Sequence, residues 1–308
     1  MRAGGQPLAA IAAMLTTAVL VAGCASAGSS GAPSGKTTND GSPAAAAGGS
    51  GPVNVLYAGS LVDLMEKQIK PGFESSTGYS FSGISAGSTD LAAEIKGKVH
   101  EGDVFVSASP SADAELQGAS NGNWVSWYTT FATAPLVLGY NPKSEFAADL
   151  RSKPWYKVIT EPGFRLGTTD PATDPKGELA GEALTAAAKS QHDPALAALA
   201  KDTSNFYPEE TLVARLQSGQ LDAGFFYSAE ATAAHIPAVK LTGVDLGATY
   251  TISVLNQAPN QRGAEAFTKY LLGPKGQAAL KKDGFQLVVP AKVTGSGVPS
   301  SLQNLVSG

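Results

Sequence analysis

From Val53 onward, short apolar runs alternate with stretches whose apolar residues recur every three or four positions, the pattern of strands interleaved with amphipathic helices. Val53 to Tyr57 reads as a buried strand, and Ala58-Gly59-Ser60 turns it into a helix beginning at Leu61. Tyr79 to Ile84 repeats the unit: Ser85-Ala86-Gly87-Ser88 leads into a helix over Thr89 to Lys96, whose Leu91, Ala92 and Ile95 share one face. Further strands are predicted at Asp103 to Ala108, Thr133 to Tyr140, Arg165 to Thr169, Ala223 to Tyr227 and Thr249 to Leu255. Helices are predicted at Gly177 to Ala188, Pro208 to Ser218, Arg262 to Leu272 and Pro274 to Lys282. This order predicts an α/β fold. The folded part runs to about 250 residues, more than one core usually organises. Two lobes are therefore expected, residues 52–138 with 248–308 forming one and 139–247 the other. The strands that cross between them would form a two-strand hinge, with a ligand cleft beyond the carboxyl ends of the strands.

The first 51 residues follow a different pattern. Arg2 precedes an uncharged apolar stretch from Pro7 to Gly23, too short to span a bilayer and followed by Val21-Ala22-Gly23-Cys24. Residues 1–23 read as an export signal, and the run resembles a bacterial lipobox in which Cys24 is acylated. Cys24 is the only cysteine, so it closes no intrachain disulfide. Residues 24–51 hold Ser, Gly, Ala, Pro and Thr with almost no large apolar side chain, the composition of a flexible tether. The chain is thus expected outside the cytoplasm, lipid-anchored to the outer face of the cell membrane and monomeric. The net charge of -4 and the lack of a basic cluster interleaved with aromatics argue against nucleic acid as a partner.

Candidate chemistry lies in the turns. Ser60 and Ser88 each end an Ala-Gly-Ser between a strand and a helix. Glycine allows a close backbone approach, the helix N-terminus supplies unpaired N–H groups, and the hydroxyl adds a donor, so two such turns make an anion cradle. The alternative is that each serine caps its helix. A rival from another class is an esterase, because Gly83-Ile84-Ser85-Ala86-Gly87 fits the nucleophile-elbow pattern and Asp222 and His235 follow in order. A surface adhesin or scaffold lipoprotein would need no cradle.

Beyond the two serine turns, Asp103-Val104-Phe105-Val106-Ser107-Ala108, Thr169-Asp170-Pro171-Ala172-Thr173-Asp174-Pro175-Lys176-Gly177 and Leu216 to Tyr227 complete an ordered series that ends with Ala258-Pro259-Asn260. The series resembles the periplasmic molybdate/tungstate-binding proteins, especially the archaeal tungstate binders. The resemblance implies a type II periplasmic-binding-protein fold that closes on one oxyanion and hands it to ABC permease subunits, with no catalysis and no cofactor. It also implies ligand positions at Ser60, Ser88, Asp174, Glu209 (or Glu210 on a one-residue slip) and Tyr227. Sulfate and phosphate are the alternative cargoes. Carboxylates facing a dianion would repel it, so Asp174 and Glu209 are expected to bond the Mo or W atom directly, since these hard centres accept carboxylate oxygen. Ser109 stands where the family commonly has aspartate.

Overall fold

The computed structural model describes residues 49–308; the expected export signal, Cys24 and the expected tether up to residue 48 lie outside the described residues. Ten strands follow in order: β1 (Pro52–Ala58), β2 (Ser80–Ala86), β3 (Val104–Ser107), β4 (Trp127–Tyr140), β5 (Leu166–Gly167), β6 (Ala223–Tyr227), β7 (Ala238–Lys240), β8 (Gly247–Val254), β9 (Gln286–Gly295) and β10 (Val306–Ser307). One run of pairings orders seven of them β10-β9-β4-β8-β3-β1-β2. Within it β1 lies parallel to both β2 and β3, whereas β8 runs antiparallel to β3 and β4.

Strand β4 links two groups of strands. Its first part, Trp127 to Pro135, pairs with β8 and β9, and its last part, Leu136 to Tyr140, pairs with β6 while Val137 to Gly139 also meet β7. Strand β5 joins the second group through β6. The same alternation that makes a strand readable divides its side chains between faces. Val55, Tyr57, Val104 and Val106 enter the main core, and Leu56 and Phe105 enter a separate cluster with Leu91, Ile95 and Leu255. In the second group Leu138 and Phe225 face the main core, while Val137 and Phe226 cover Leu212, Leu216 and Ile236. Burial on both faces explains why β1, β3 and β6 read as continuous apolar runs.

Several elements differ from the sequence-based expectation. Strand β4 begins six residues before Thr133, because Trp127-Tyr128-Thr129-Thr130-Phe131 is itself a β-branched and aromatic run; a register shift between Thr130 and Ala132 separates the two stretches. The expected strand Arg165 to Thr169 shrinks to two residues. Arg165 is instead a clamp: its Nε and Nη2 donate to the two oxygens of Asp222 at 2.9 and 2.8 Å. The helix expected from Leu61 starts as a 3-10 turn at Gly59–Leu61 and contains a wide π turn at Met65–Ile69. That turn absorbs the missing N–H of Pro71 and lets Lys70–Thr77 continue to the left-handed Gly78. Strand β9 was not anticipated, because Pro290 interrupts its pattern. No helix among the described residues is long and apolar enough to cross a membrane.

Candidate functional site

The two Ala-Gly-Ser turns meet the two acidic positions, one each. A Cβ on Gly59 would overlap the Glu209 side chain, and a Cβ on Gly87 would lie 3.0 Å from that of Asp174 and overlap the Thr173 carbonyl. The Asp90 N–H donates to that carbonyl at 3.1 Å. Glycine is therefore required at both turns for close approach, and no positive φ is involved.

Neither serine caps its helix. Ser60 lies in the 3-10 turn with its hydroxyl 3.2 Å from that of Tyr250, and no side-chain cap bond forms there or at the helix Ser88–Gly97. Ser88 Oγ accepts from the Ala108 N–H at 3.0 Å, which leaves its own proton free to donate. Asp174 does cap: it precedes the helix Pro175–Gln191, and its Oδ1 accepts from the Lys176 N–H at 2.7 Å.

Lys176, within the Asp174-Pro175-Lys176-Gly177 motif, ties the acids together, a role that no sequence expectation gives it. Its side chain is 0% exposed, and its Nζ donates to Glu209 Oε1 at 2.8 Å and to both Glu230 oxygens at 3.0 Å. The rings of Phe226 and Tyr227 lie 5.2 and 5.8 Å from Nζ. Glu230 is fixed in turn by the Tyr227 N–H at 3.2 Å. A lysine in the first turn of a helix opposes the macrodipole, and that was the available signal that it serves a partner elsewhere. Burial works against its charge, but Glu209, Glu230 and Asp174 more than offset this and hold the ammonium above its ordinary range.

The acids respond in the opposite sense. Burial first and the charge of Asp174 second push the Glu209 carboxyl well above the usual carboxylate range, with Lys176 pulling it back. Burial likewise raises Glu230, again against Lys176. Glu209 Oε2 and the Tyr227 hydroxyl are buried with no hydrogen-bond partner among the described residues. Tyr227 stands edge-on to Tyr250 with ring centroids 6.0 Å apart. Thr168 and Thr169, in the segment leading to Asp174, also bury unpartnered hydroxyls. An unpaired buried polar atom costs about 1–3 kcal/mol. A cavity of about 390 Å³ opens beside Ser60, Ser85, Glu209 and Glu230. Glu210, the alternative to Glu209, has no described side chain.

The esterase triad is not assembled. The Asp222 carboxylate is engaged by Arg165 and by the Ser144 hydroxyl at 2.8 Å, His235 is exposed, and no hydrogen bond links either to Ser85 among the described residues. Nor do three or more His, Cys, Asp or Glu side chains cluster as a metal-ion site among them.

Comparison with known proteins identifies the family and the fold. The profile of the bacterial extracellular solute-binding proteins matches residues 53–286. A solute-binding protein of Petrotoga mobilis is 28% identical over 84% of this chain and 91% of its own length. The molybdate/tungstate-binding protein of Pyrococcus abyssi is 25% identical over 60% of this chain and 68% of its own. Among solved structures, the periplasmic molybdate-binding protein of Azotobacter vinelandii superposes with a TM-score of 0.62 at 21% identity, covering 77% of this chain and 99% of that one. The fold is the type II periplasmic-binding-protein fold, and the chain belongs to the bacterial extracellular solute-binding proteins.

Proposed function

We propose that this protein is the extracytoplasmic receptor of an ABC importer and captures a tetrahedral oxyanion, molybdate or tungstate, between residues 52–138 with 248–308 on one side and 139–247 on the other. The observation that carries the reading is the pairing of each Ala-Gly-Ser turn with one acid, Glu209 at Gly59 and Asp174 at Gly87. Around them the hydroxyls of Ser60, Ser88 and Tyr227 are the donors a dianion needs. The name of the Pyrococcus relative supports the choice of cargo.

The charges favour a metal oxyanion over sulfate or phosphate. The Lys176 ammonium serves Glu209 and Glu230, Asp174 is engaged only through the Lys176 main-chain N–H, and no second lysine or arginine is buried among the described residues, so a further dianion held by hydrogen bonds alone would meet acid groups with no added cation to offset it. Mo and W relieve this by bonding carboxylate oxygen from Asp174 and Glu209, which sulfur and phosphorus do not accept under ordinary conditions. Strand β4, which pairs with both strand groups, and the chain entering its partner β8 would serve as the hinge. Titration calorimetry tests the reading: tungstate and molybdate bind saturably at one site, and sulfate binds more weakly. Absence of binding by either metal oxyanion contradicts it.

Cys24 would anchor the receptor through an acyl chain, with the tether spanning from the membrane to Pro52. Mass spectrometry of the mature N-terminus reads this directly. An acylated Cys24 is expected, and a free terminus downstream of it refutes the anchor.

A further inference from the structure

Lys176 engages both acids of the proposed site, by two different groups. Its main-chain N–H donates to Asp174 Oδ1 at 2.7 Å, and its ammonium donates to Glu209 Oε1 at 2.8 Å. One oxygen of each acid is thereby occupied. Glu209 Oε2 is buried and unpartnered, and of the two Asp174 carboxylate oxygens only Oδ1 takes part in a hydrogen bond among the described residues. The lysine itself cannot drift, because both oxygens of Glu230 hold Nζ at 3.0 Å and the Phe226 ring lies 5.2 Å away. It is the only lysine or arginine among the described residues that is buried. A tetrahedral oxyanion that expands to six ligands needs two added oxygens, one from each acid. A carboxylate free to rotate could offer both of its oxygens, or neither.

We infer that Lys176 is a positioning and specificity-determining residue: by occupying one oxygen of Asp174 and one of Glu209, it presents a single oxygen of each to a metal oxyanion and leaves nothing useful to sulfate or phosphate. The inference rests on the oxyanion reading above and deepens it. A merely structural ion pair would lower stability on removal without changing which anion is preferred. The positioning role changes the preference itself.

The test compares tungstate with sulfate in the full chain and in Lys176→Met, which keeps the stem and the main-chain N–H but removes the ammonium. Loss of one partner from a buried ion cluster is destabilising, so Lys176→Met with Glu230→Gln is measured beside it, with circular dichroism as the check on folding. The ratio of tungstate to sulfate affinity should fall about tenfold or more in both variants, the weight of one charge-assisted hydrogen bond. X-ray absorption should show the oxygen neighbours of tungsten dropping below the parent number. A folded variant whose two affinities fall by the same factor, or not at all, overturns the inference. So does a crystal structure of the parent complex in which Glu209 bonds the metal through both oxygens. A parent that binds no tungstate defeats the oxyanion reading instead, which separates the two failures.

Discussion

Ser60 and Ser88 occupy equivalent places in successive strand-to-helix turns, yet their hydroxyls have different companions. Ser60 shares a hydrogen bond with Tyr250, which either oxygen can donate, whereas Ser88 accepts from a main-chain N–H and must donate outward. In the tungstate titration, Ser60→Ala and Ser88→Ala should each weaken binding by about 1.5–3 kcal/mol, the range for hydrogen bonds to charged groups. Each variant should also lower folding stability by about 1–3 kcal/mol, because Ser88→Ala leaves the Ala108 N–H without an acceptor and Ser60→Ala leaves the buried Tyr250 hydroxyl without its partner. Unchanged affinities in both variants would remove the serines from the site. Ser60, Ser88 and Asp174 stand out as candidates because they sit in local motifs, Ala-Gly-Ser and Asp-Pro-Lys-Gly, whereas Glu209 lies in neither and is a candidate only through the family resemblance. Lys176, Glu230 and Tyr250 do not stand out. Lys176 lies 33 and 54 positions from its acidic partners, and Tyr250 lies 190 from Ser60, distances that only the folded chain closes.

At the level of elements, sequence pattern located the buried strands well where apolar runs were continuous, as in β1 and β6. It failed where a side chain or a proline decided the outcome. Arg165 leaves its strand to hold Asp222, Pro290 conceals β9, and Pro71 forces a wide turn into a helix. Strand β8 carries a further polar feature beneath the short helix Pro110–Ala114. Asp113 is fully buried there, and its carboxylate accepts a short hydrogen bond from the Thr251 hydroxyl. Burial pushes its carboxyl up to about 7, against the pull of Thr251 and Ser253. The native state then holds the proton more tightly than the unfolded chain. Stability from this group is full below the ordinary aspartate value of 3.8 and declines as pH rises toward 7. The slope should approach about 1.4 kcal/mol per pH unit in that window. Glu209, Glu230 and Asp283 are raised too and slope in the same direction, so the informative quantity is the difference between parent and variant. Urea unfolding across this window should show a flatter pH dependence for Asp113→Asn. Identical slopes would mean that Asp113 stays ionised.

On the scale of the whole molecule, β4 connects every strand group into one sheet system, and the proposed cleft lies where turns of the first group approach the helix starts at Pro175 and Glu209. The α/β class followed from the alternation of strand and helix patterns, and the family from an ordered series of motifs along the chain. The charge balance of the cleft did not, because it depends on a lysine that the motif contains but does not explain. That balance makes coordination the deciding property. On the proposed function, hydrogen-bonding turns alone would suit many tetrahedral anions, whereas two acids with one free oxygen each would suit a metal that expands its shell. X-ray absorption at the tungsten edge of the parent complex reads this most directly. Six oxygen neighbours are predicted, four from the oxyanion and one each from Asp174 and Glu209. A strictly four-coordinate tungsten would contradict the account and leave Asp174 as a helix cap and Glu209 as the partner of a buried lysine.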